Sequence, residues 1–169
     1  MSDTTLRRAT ESDVAGIGNL VAGAFGKYID RIGRPPAPIV ADYAELLGHC
    51  RVWVIDAGDR LVGMLVTQAK PDHLYLDSIA VDPASQGTGV GRRLLQRAEA
   101  DCHEQGLGEV RLCTNEAMTE NLDFYPRQGY RETGRGIEDG YRRVFYTKVL
   151  TCSEVEYQER AGRGGHHGA

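Results

Sequence analysis

The sequence predicts an α+β fold, in which helices flank a mixed sheet. The predicted elements run strand, two helices, several strands, helix, strand, helix, strands, and this order fits neither regular β-α alternation nor an all-β protein. Apolar residues make up 41% of the 169 residues and charged residues 26%, as in ordinary globular domains. We predict one domain over residues 1–150. Apolar periodicity is lost from Ser153 to Ala169, so residues 151–169 are predicted to be a flexible tail.

In the N-terminal quarter of the chain, the sequence pattern predicts one strand and two helices. The strand covers Leu6 to Ala9, and Thr10 with Asp13 then forms a capping box that starts a helix. Apolar residues recur on one face of that helix, at Val14, Ile17, Val21 and Phe25. The proline-rich segment Arg34 to Pro38 interrupts regular structure, and Ala41 to Leu47 is predicted to be a second, short helix.

The centre of the chain predicts three consecutive strands. Val52 to Ile55 and Leu61 to Thr67 flank a turn at residues 56–59, which is the pattern of a β-hairpin. Leu74 to Val81 is a third apolar run, and Pro83 ends it.

The C-terminal half begins with the longest predicted helix, Gly89 to Gln105, which stops at Gly106. A second helix is predicted over Glu120 to Gln128, and Pro126 kinks or ends it. The predicted strands are Val110 to Cys113, Tyr130 to Thr133 and Tyr141 to Val149, the last two joined by Gly134 to Gly136.

Composition argues against several classes of protein. A net charge of −4 gives no general attraction to nucleic acid or to an anionic membrane. No apolar run approaches the ~18 residues of a membrane span, and Met1 to Thr5 lacks the pattern of a signal peptide, so a cytoplasmic protein is expected. No C-x-x-C pair or suitably spaced His occurs, so no metal site is predicted from the four cysteines, Cys50, Cys102, Cys113 and Cys152.

The segment from Asp82 to Arg92 carries the clearest chemical signal, because it joins a strand to a helix through closely spaced glycines. Gly87, Gly89 and Gly91 remove side chains where the backbone turns, which leaves N–H groups free to point outward. The helix that follows adds the positive end of its dipole. The segment therefore predicts a site for a phosphate or pyrophosphate.

Two common phosphate motifs do not fit this segment. A P-loop requires Lys followed by Ser or Thr after its last glycine, and none is present. A dinucleotide fingerprint requires a third glycine where this chain has Arg92. A nucleotide-phosphate-binding protein of another kind remains an alternative at this point.

Residues Gln86 to Gly91 match the pattern [Q/R]-x-x-G-x-[G/A], and the chain here resembles the GNAT superfamily of acetyl-CoA-dependent N-acetyltransferases. Asp77 to Pro83 is similar to the family's central strand, and Phe124 to Tyr130 to its Y-x-x-x-G-[F/Y] segment. The resemblance covers about Leu6 to Leu150. It implies a mostly antiparallel sheet whose strands splay at the cofactor site.

The resemblance also implies transfer of an acetyl group from acetyl-CoA to a primary amine, by direct attack in a ternary complex. A non-catalytic acyl-CoA-binding or regulatory module on the same fold is the alternative. The implied acceptor is a small-molecule amine or a protein N-terminus, and a homodimer is possible because dimers are common in the family.

The implied cofactor contacts come from three segments. The backbone of the splayed strand, at Ile79, Ala80 and Val81, would bind the pantetheine arm by β-augmentation. Asn121 is assigned a further pantetheine contact, because Met118 occupies the place of the family's usual Asn. The pyrophosphate would lie on the loop and the start of the helix, formed by Gln86, Gly87, Thr88, Gly89, Val90, Gly91 and Arg92.

The implied catalytic pair is Tyr125, a general acid for the leaving thiolate, and Asp77, a general base for the amine. Strand alternation is expected to put Asp77 on one face with Ile79 and Val81. Glu116 and Glu120 are the other candidate bases. Cys113, the nearest candidate nucleophile, has no partnered His nearby in sequence, so no acyl-enzyme is expected.

The acceptor site is expected in the N-terminal part of the chain. Tyr28, Arg31 and the loop from Gly33 to Pro38 follow the first helix, so we predict that they cover the cleft. No residue in this region identifies the acceptor.

Overall fold

The structure is a computed structural model that describes residues 3–150, so the predicted tail at residues 151–169 lies outside the described part. Its strands are β1 Thr4–Arg8, β2 Arg51–Ala57, β3 Arg60–Ala69, β4 Leu74–Val81, β5 Glu109–Asn115, β6 Arg131–Glu138 and β7 Tyr141–Val149. Its α-helices are α1 Val14–Phe25, α2 Tyr28–Ile32, α3 Ala37–Val40, α4 Tyr43–His49, α5 Val90–Glu104 and α6 Thr119–Arg127. Short 3-10 turns precede α1 and α5.

The seven strands form one sheet in the order β1-β2-β3-β4-β5-β7-β6. Every neighbouring pair is antiparallel except β4 and β5, which are parallel. The predicted α+β fold with a mixed, mostly antiparallel sheet is thus confirmed. Among residues 3–150, none of the helices has the length and apolarity needed to cross a bilayer.

Two apolar cores hold the helices against the sheet. The α5-side core includes Leu94, Leu95 and Ala98 of α5 and the rings of Tyr125 and Tyr130. The α1-side core buries the apolar face of α1 against β3 and β4, and it includes Ile17, Val21, Phe25, Met64 and Ala80. Burial on both sides explains why β3 reads as a nearly continuous apolar run.

Strands β4 and β5 form only two register pairs, Leu74 with Val110 and Tyr75 with Arg111. Beyond these pairs β4 continues beside β3 alone, as far as Val81 with Gly63, while β5 continues beside β7. The backbone edges that face each other across the gap are therefore free of sheet pairing. This is the predicted splay.

A β-bulge at Asp77 corrects the predicted side-chain alternation of β4. Val66 pairs with Ser78 and Thr67 with Leu76, so Asp77 has no partner on β3. Before the bulge the even-numbered residues Leu74 and Leu76 pack in the α5-side core, whereas after it Ile79 and Val81 do so. Asp77 therefore does not share a face with Ile79 and Val81, because the extra residue reverses the alternation.

The last hairpin also differs from the prediction. Gly134 to Gly136, predicted to join the final strands, lies within β6, and Glu138 pairs with Tyr141 across a two-residue turn. Asp139 and Gly140 form that turn with φ of 54° and 79°. An Asp-Gly pair suits these angles, because both residues tolerate positive φ in tight hairpins.

A buried carboxylate joins α5 to the sheet. Asp101 is fully buried and accepts hydrogen bonds from Trp53 Nε1 at 2.8 Å and from Thr67 Oγ1 at 3.2 Å. Arg97 Nη2 and Arg51 Nη1 lie 2.8 and 3.3 Å from the other carboxylate oxygen. This carboxylate therefore satisfies four donors on three different elements.

We expect Asp101→Ala to lower the free energy of unfolding by about 3 kcal/mol, because it leaves the buried donors of Trp53 and Thr67 without an acceptor and removes the buried partner of two guanidinium groups. The matched control is Glu104→Ala, since Glu104 pairs with the same two arginines from a side chain that is 53% exposed. That control should cost less than about 1 kcal/mol. Urea unfolding of both variants measures the difference, and equal losses would show that burial of Asp101 is not what matters.

Candidate active site

The first of two cavities at the splay has a volume of about 410 Å³ and is bordered by the glycine loop. Its walls come from the end of α1, from β4, and from the N-terminal parts of α5 and α6. The site residues predicted from the sequence that line it are Ile79, Ala80, Val81, Gln86, Gly87, Gly89, Gly91, Arg92, Asn121 and Tyr125. We call this the loop cavity.

Gly87 and Gly89 give the loop its shape. Their φ angles are 80° and 92°, a region that side chains with a Cβ rarely adopt, and a Cβ on either residue would meet no atom within 4 Å. Gly89 caps α5 with no side-chain hydrogen bond to the helix, so the first N–H groups of α5 have no side-chain acceptor. The loop therefore combines open space with free backbone donors.

Gly91, Thr88 and Val90 have different roles from those two glycines. A Cβ on Gly91 would lie 3.4 Å from Phe124, so its small size serves packing between α5 and α6. The Thr88 hydroxyl donates to the Ser85 carbonyl within the loop. The Val90 side chain packs against Gly63, since a Cβ added to Gly63 would lie only 2.9 Å from Val90 Cγ1. The side chains of Thr88 and Val90 therefore stabilise the loop rather than line the cavity.

Among the site residues predicted from the sequence, Arg92 is the charged one that lines the loop cavity. It is exposed and forms no ion pair within residues 3–150, whereas Arg93 beside it bonds to Thr4 Oγ1 at 2.8 Å. A free guanidinium next to uncapped helix amides makes this end of the cavity suited to an anion.

The second cavity has a volume of about 710 Å³ and lies where α3 and α4 approach β4, β5 and β7. We call it the strand cavity. Its charged lining groups are Asp42, Glu45, Lys70, Asp77, Glu138, Asp139 and Arg143, and its aromatic groups are Phe25, Tyr75, Tyr125, Tyr141 and Phe145.

The two cavities meet, because Phe25, Ile79, Asn121 and Tyr125 line both. Asn121 Nδ2 donates to Thr114 Oγ1 at 3.0 Å, a contact between α6 and β5. The Asn121 side chain, which is predicted to contact pantetheine, therefore also links α6 to β5.

Tyr125 lies at this junction and is only 4% exposed. Its ring packs against Phe124, Tyr130 and Tyr146 with centroid separations of 5.4 to 5.8 Å. Burial raises the pKa of the Tyr125 hydroxyl well above its usual value, so the group is protonated at neutral pH. No hydrogen bond to this hydroxyl occurs within the described residues, which leaves its proton available to a ligand.

Asp77 lies in the strand cavity, where it is open to solvent on one side. Surrounding protein still desolvates the carboxylate and raises its pKa, an effect that Arg143 and Lys70 partly oppose. A carboxylate with a raised pKa is a better proton acceptor than an ordinary Asp.

The other candidate bases are placed less favourably. Glu116 pairs with Arg135 at 3.2 Å and lines neither cavity. Glu120 borders the loop cavity, where it pairs with Arg31 at 3.0 Å and accepts from the Tyr28 hydroxyl at 3.1 Å. Hydrogen bonds, the largest to its own backbone, lower the pKa of Glu120 and make it a weaker base.

The segments expected to cover the acceptor lie on both cavities. Tyr28 lines the loop cavity and Arg31 reaches Glu120 beside it, whereas Pro36 to Pro38 line the strand cavity. Sequence reasoning missed Ser78, Lys70 and Arg143 in the strand cavity. Nothing in the local sequence marks them, because they come together only through strand pairing.

Comparison with known proteins gives one consistent result. The profile of the acetyltransferase (GNAT) family matches residues 24–130. A probable N-acetyltransferase of Mycobacterium tuberculosis is 29% identical over 119 residues, 67% of each chain. The ribosomal protein bS18-alanine N-acetyltransferase of Salmonella typhimurium is 34% identical over 94 residues, which span 50% of this chain and 64% of that protein.

Solved structures share the fold. The PaiA N-acetyltransferase of Thermoplasma acidophilum, crystallised with coenzyme A, superposes with a TM-score of 0.71 at 14% identity, covering 88% of this chain and 99% of that one. A GNAT acetyltransferase of Elizabethkingia anophelis with bound acetyl-CoA gives a TM-score of 0.64 at 17% identity, covering 89% of this chain and all of that one. With the family profile matching well over half of its residues, this chain belongs to the acetyltransferase (GNAT) family.

Proposed function

We propose that this protein transfers the acetyl group of acetyl-CoA to a primary amine by direct attack within a ternary complex. The observation that carries the proposal is the meeting of the loop cavity and the strand cavity at Tyr125. One cavity offers backbone donors suited to a pyrophosphate, and the other offers a carboxylate suited to an amine. A thioester held at their junction would lie between the two.

The residues of the loop cavity fit acetyl-CoA. Backbone N–H groups of Gly87 and of residues 89–92 would hold the pyrophosphate, and the Arg92 guanidinium would add charge, whereas the Thr88 N–H already donates to the Ser85 carbonyl. The unpaired edge of β4 at Ile79 to Val81 would pair with the amide groups of the pantetheine arm, as an added strand does. Two solved structures of the same fold contain coenzyme A or acetyl-CoA, which supports acetyl-CoA as the ligand.

The proton transfers follow from the two titratable groups. An alkylammonium has a pKa near ~10 and must lose a proton before it attacks, so Asp77, directly or through water, accepts that proton. The amine nitrogen then bonds to the acetyl carbon, and the carbon–sulfur bond breaks. Tyr125 donates its proton to the departing thiolate, and the bonded nitrogen releases its second proton through water to the resulting tyrosinate, which gives the amide and free coenzyme A.

A thiol-release assay over a broad amine panel, with mass spectrometry of the products, tests the proposal. We expect at least one amine to yield equal amounts of free coenzyme A and N-acetylated product. Tight binding of acetyl-CoA without thiol release for any amine would contradict the proposal and favour a non-catalytic acyl-CoA-binding module. Competition by ATP or NAD instead of coenzyme A would favour a nucleotide-binding protein.

Tyr125→Phe tests the acid. We expect kcat to fall roughly 10- to 100-fold, at the lower end of the ~10²–10⁴-fold usual for acid–base groups, because a thiolate is already a fair leaving group. Acetyl-CoA affinity should not change. The matched control is Tyr130→Phe, since Tyr130 packs against Tyr125 and its buried hydroxyl has no partner within residues 3–150. Equal rates for the two variants would remove Tyr125 from the acid role.

A further inference from the structure

Resting on the proposed function, we infer that the acceptor is a small amino carboxylate, with its amino group at Asp77 and its carboxylate on Arg143. The inference begins with buried polar atoms that lack partners. Three such side-chain atoms occur within the described residues, and two of them, Ser78 Oγ and Arg143 Nε, belong to residues that line the strand cavity. Buried polar groups are nearly always hydrogen-bonded in native proteins, so this pair marks the wall of the cavity that lacks polar partners. The Nη groups of Arg143 are not among these closed atoms and make no hydrogen bond within residues 3–150, so a ligand would bind through them.

Arg143 defines the chemistry of the missing partner. Its side chain is only 15% exposed and lies over the ring of Tyr141, 5.2 Å from the centroid. The nearest carboxylate, that of Glu138, is 3.9 Å from Nε, too far for a hydrogen bond. A guanidinium donates hydrogen bonds and cannot accept them, so the missing partner must supply acceptor oxygens. A carboxylate is the group that matches its planar pair of donors.

Ser78 and Lys70 offer donors to the same carboxylate end of the ligand as Arg143. Ser78 is 7% exposed and lies beside the Tyr43 hydroxyl, which itself donates to the Pro38 carbonyl at 2.6 Å. Lys70 also lines the cavity and forms no ion pair in the described part of the chain. Both side chains offer further donors to an anionic oxygen.

Two of the five acidic groups of the cavity, Asp42 and Glu138, are engaged without a cation on the acceptor. Asp42 Oδ1 accepts from the Glu45 amide at 3.2 Å and so caps α4. Glu138 is the acidic group closest to Arg143, whose own charge opposes a second ammonium there. Asp77 borders the junction residues and remains the carboxylate for the reacting amine. A polyamine would leave the Arg143 donors without an acceptor.

A strap across the cavity favours a small molecule over a polypeptide. Arg34 Nη2 donates to the Asp139 carbonyl at 2.5 Å, and its guanidinium lies 3.5 Å from the centroid of the Tyr141 ring. The Tyr141 hydroxyl donates to the Pro35 carbonyl at 2.6 Å. These contacts join the proline-rich segment to the β6–β7 turn. The cavity volume of about 710 Å³ is within the usual range for small-molecule sites.

The test compares three matched sets of ligands on the full chain loaded with coenzyme A. Each set contains an amino acid, its amide and its decarboxylated amine, built on phenylalanine, methionine and leucine. Saturation-transfer NMR titrations give the affinities without requiring turnover. We expect the carboxylate member of at least one set to bind about tenfold or more tighter than its decarboxylated amine, as loss of a charge-assisted hydrogen bond predicts.

Arg143→Gln should abolish that preference, whereas Arg143→Lys should keep part of it. The matched control is Arg142→Gln, which removes an arginine that is exposed and lines neither cavity. If no set prefers its carboxylate member, or if the preference survives Arg143→Gln, the inference is overturned. Amides that bind as well as the acids also overturn it, in favour of a peptide N-terminus. Carboxylate-selective binding without thiol release would instead contradict only the proposed catalysis.

Discussion

Replacing Asp77 by Asn is expected to lower kcat at neutral pH by about 10²–10⁴-fold, the usual contribution of a general base. Asn keeps the shape of the side chain at the bulge but cannot take the proton of the attacking ammonium. Affinity for acetyl-CoA should not change, since Asp77 lines the strand cavity and not the loop cavity.

The pH dependence of kcat distinguishes the loss of a general base from a general disturbance of the active site. Because burial raises the pKa of Asp77, the wild-type rate should already fall at a pH above the usual pKa of Asp as the pH is lowered. At higher pH the rate should level off. The variant depends on amine that is already neutral, so its rate should rise about tenfold per pH unit towards the pKa of the amine. A variant with the wild-type pH profile would exclude Asp77 and direct attention to Glu120.

Two controls accompany this experiment. Asp42→Asn removes a negative charge from the same cavity while keeping a side chain that caps α4, so its rate should stay close to wild type.

The thermal stability of Asp77→Asn gives the second control. A carboxyl group whose pKa is raised by folding destabilises the protein once it ionises, so Asp77→Asn should keep or slightly raise Tm at pH 7. That difference should vanish below the usual pKa of Asp.

Gly89→Val is expected to weaken acetyl-CoA binding by about 100-fold or more, because a branched side chain would fill the space beside the helix amides that the pyrophosphate requires. Gly89 has a φ of 92° and borders the loop cavity, so the substitution also strains the backbone. Calorimetric titration with acetyl-CoA measures the loss of affinity.

Gly106→Val is the matched control for that strain. Gly106 also has a positive φ, 69°, with no atom within 4 Å of a Cβ, but it follows the opposite end of α5. Both variants should lose similar stability, roughly 1–3 kcal/mol for a strained residue, yet only Gly89→Val should lose acetyl-CoA affinity. Unchanged affinity in a folded Gly89→Val protein would remove the pyrophosphate from this loop.

The sequence predicted the features that depend on local chemistry. The capping box at Thr10 and Asp13, the strand from Leu74 to Val81 and the glycine loop all follow from short-range residue preferences, and the structure contains each of them. The order of these elements was enough to predict the mixed sheet.

Features that depend on pairing between distant strands were not predictable in the same way. The bulge at Asp77 arises from the register of β4 on β3, and no residue in β4 marks it. Gly134 and Gly136 suggested a turn, but pairing with β7 places them in a strand. Arg143 lies opposite Asn115 on β5, which brings it into the strand cavity from far along the chain.

Rapid-quench analysis of one turnover tests the central claim most directly, namely that the acetyl group passes straight from thioester to amine at the junction. Cys113 is the thiol that would intercept it, since it lines the strand cavity with its sulfur 3.4 Å from the Tyr75 hydroxyl. With direct transfer, we expect free coenzyme A and acetylated amine to appear together at equal yield, and acetyl-CoA alone to leave the protein unmodified. An acetylated Cys113 that forms without amine, and then loses its acetyl group to added amine at the rate of turnover, would contradict it.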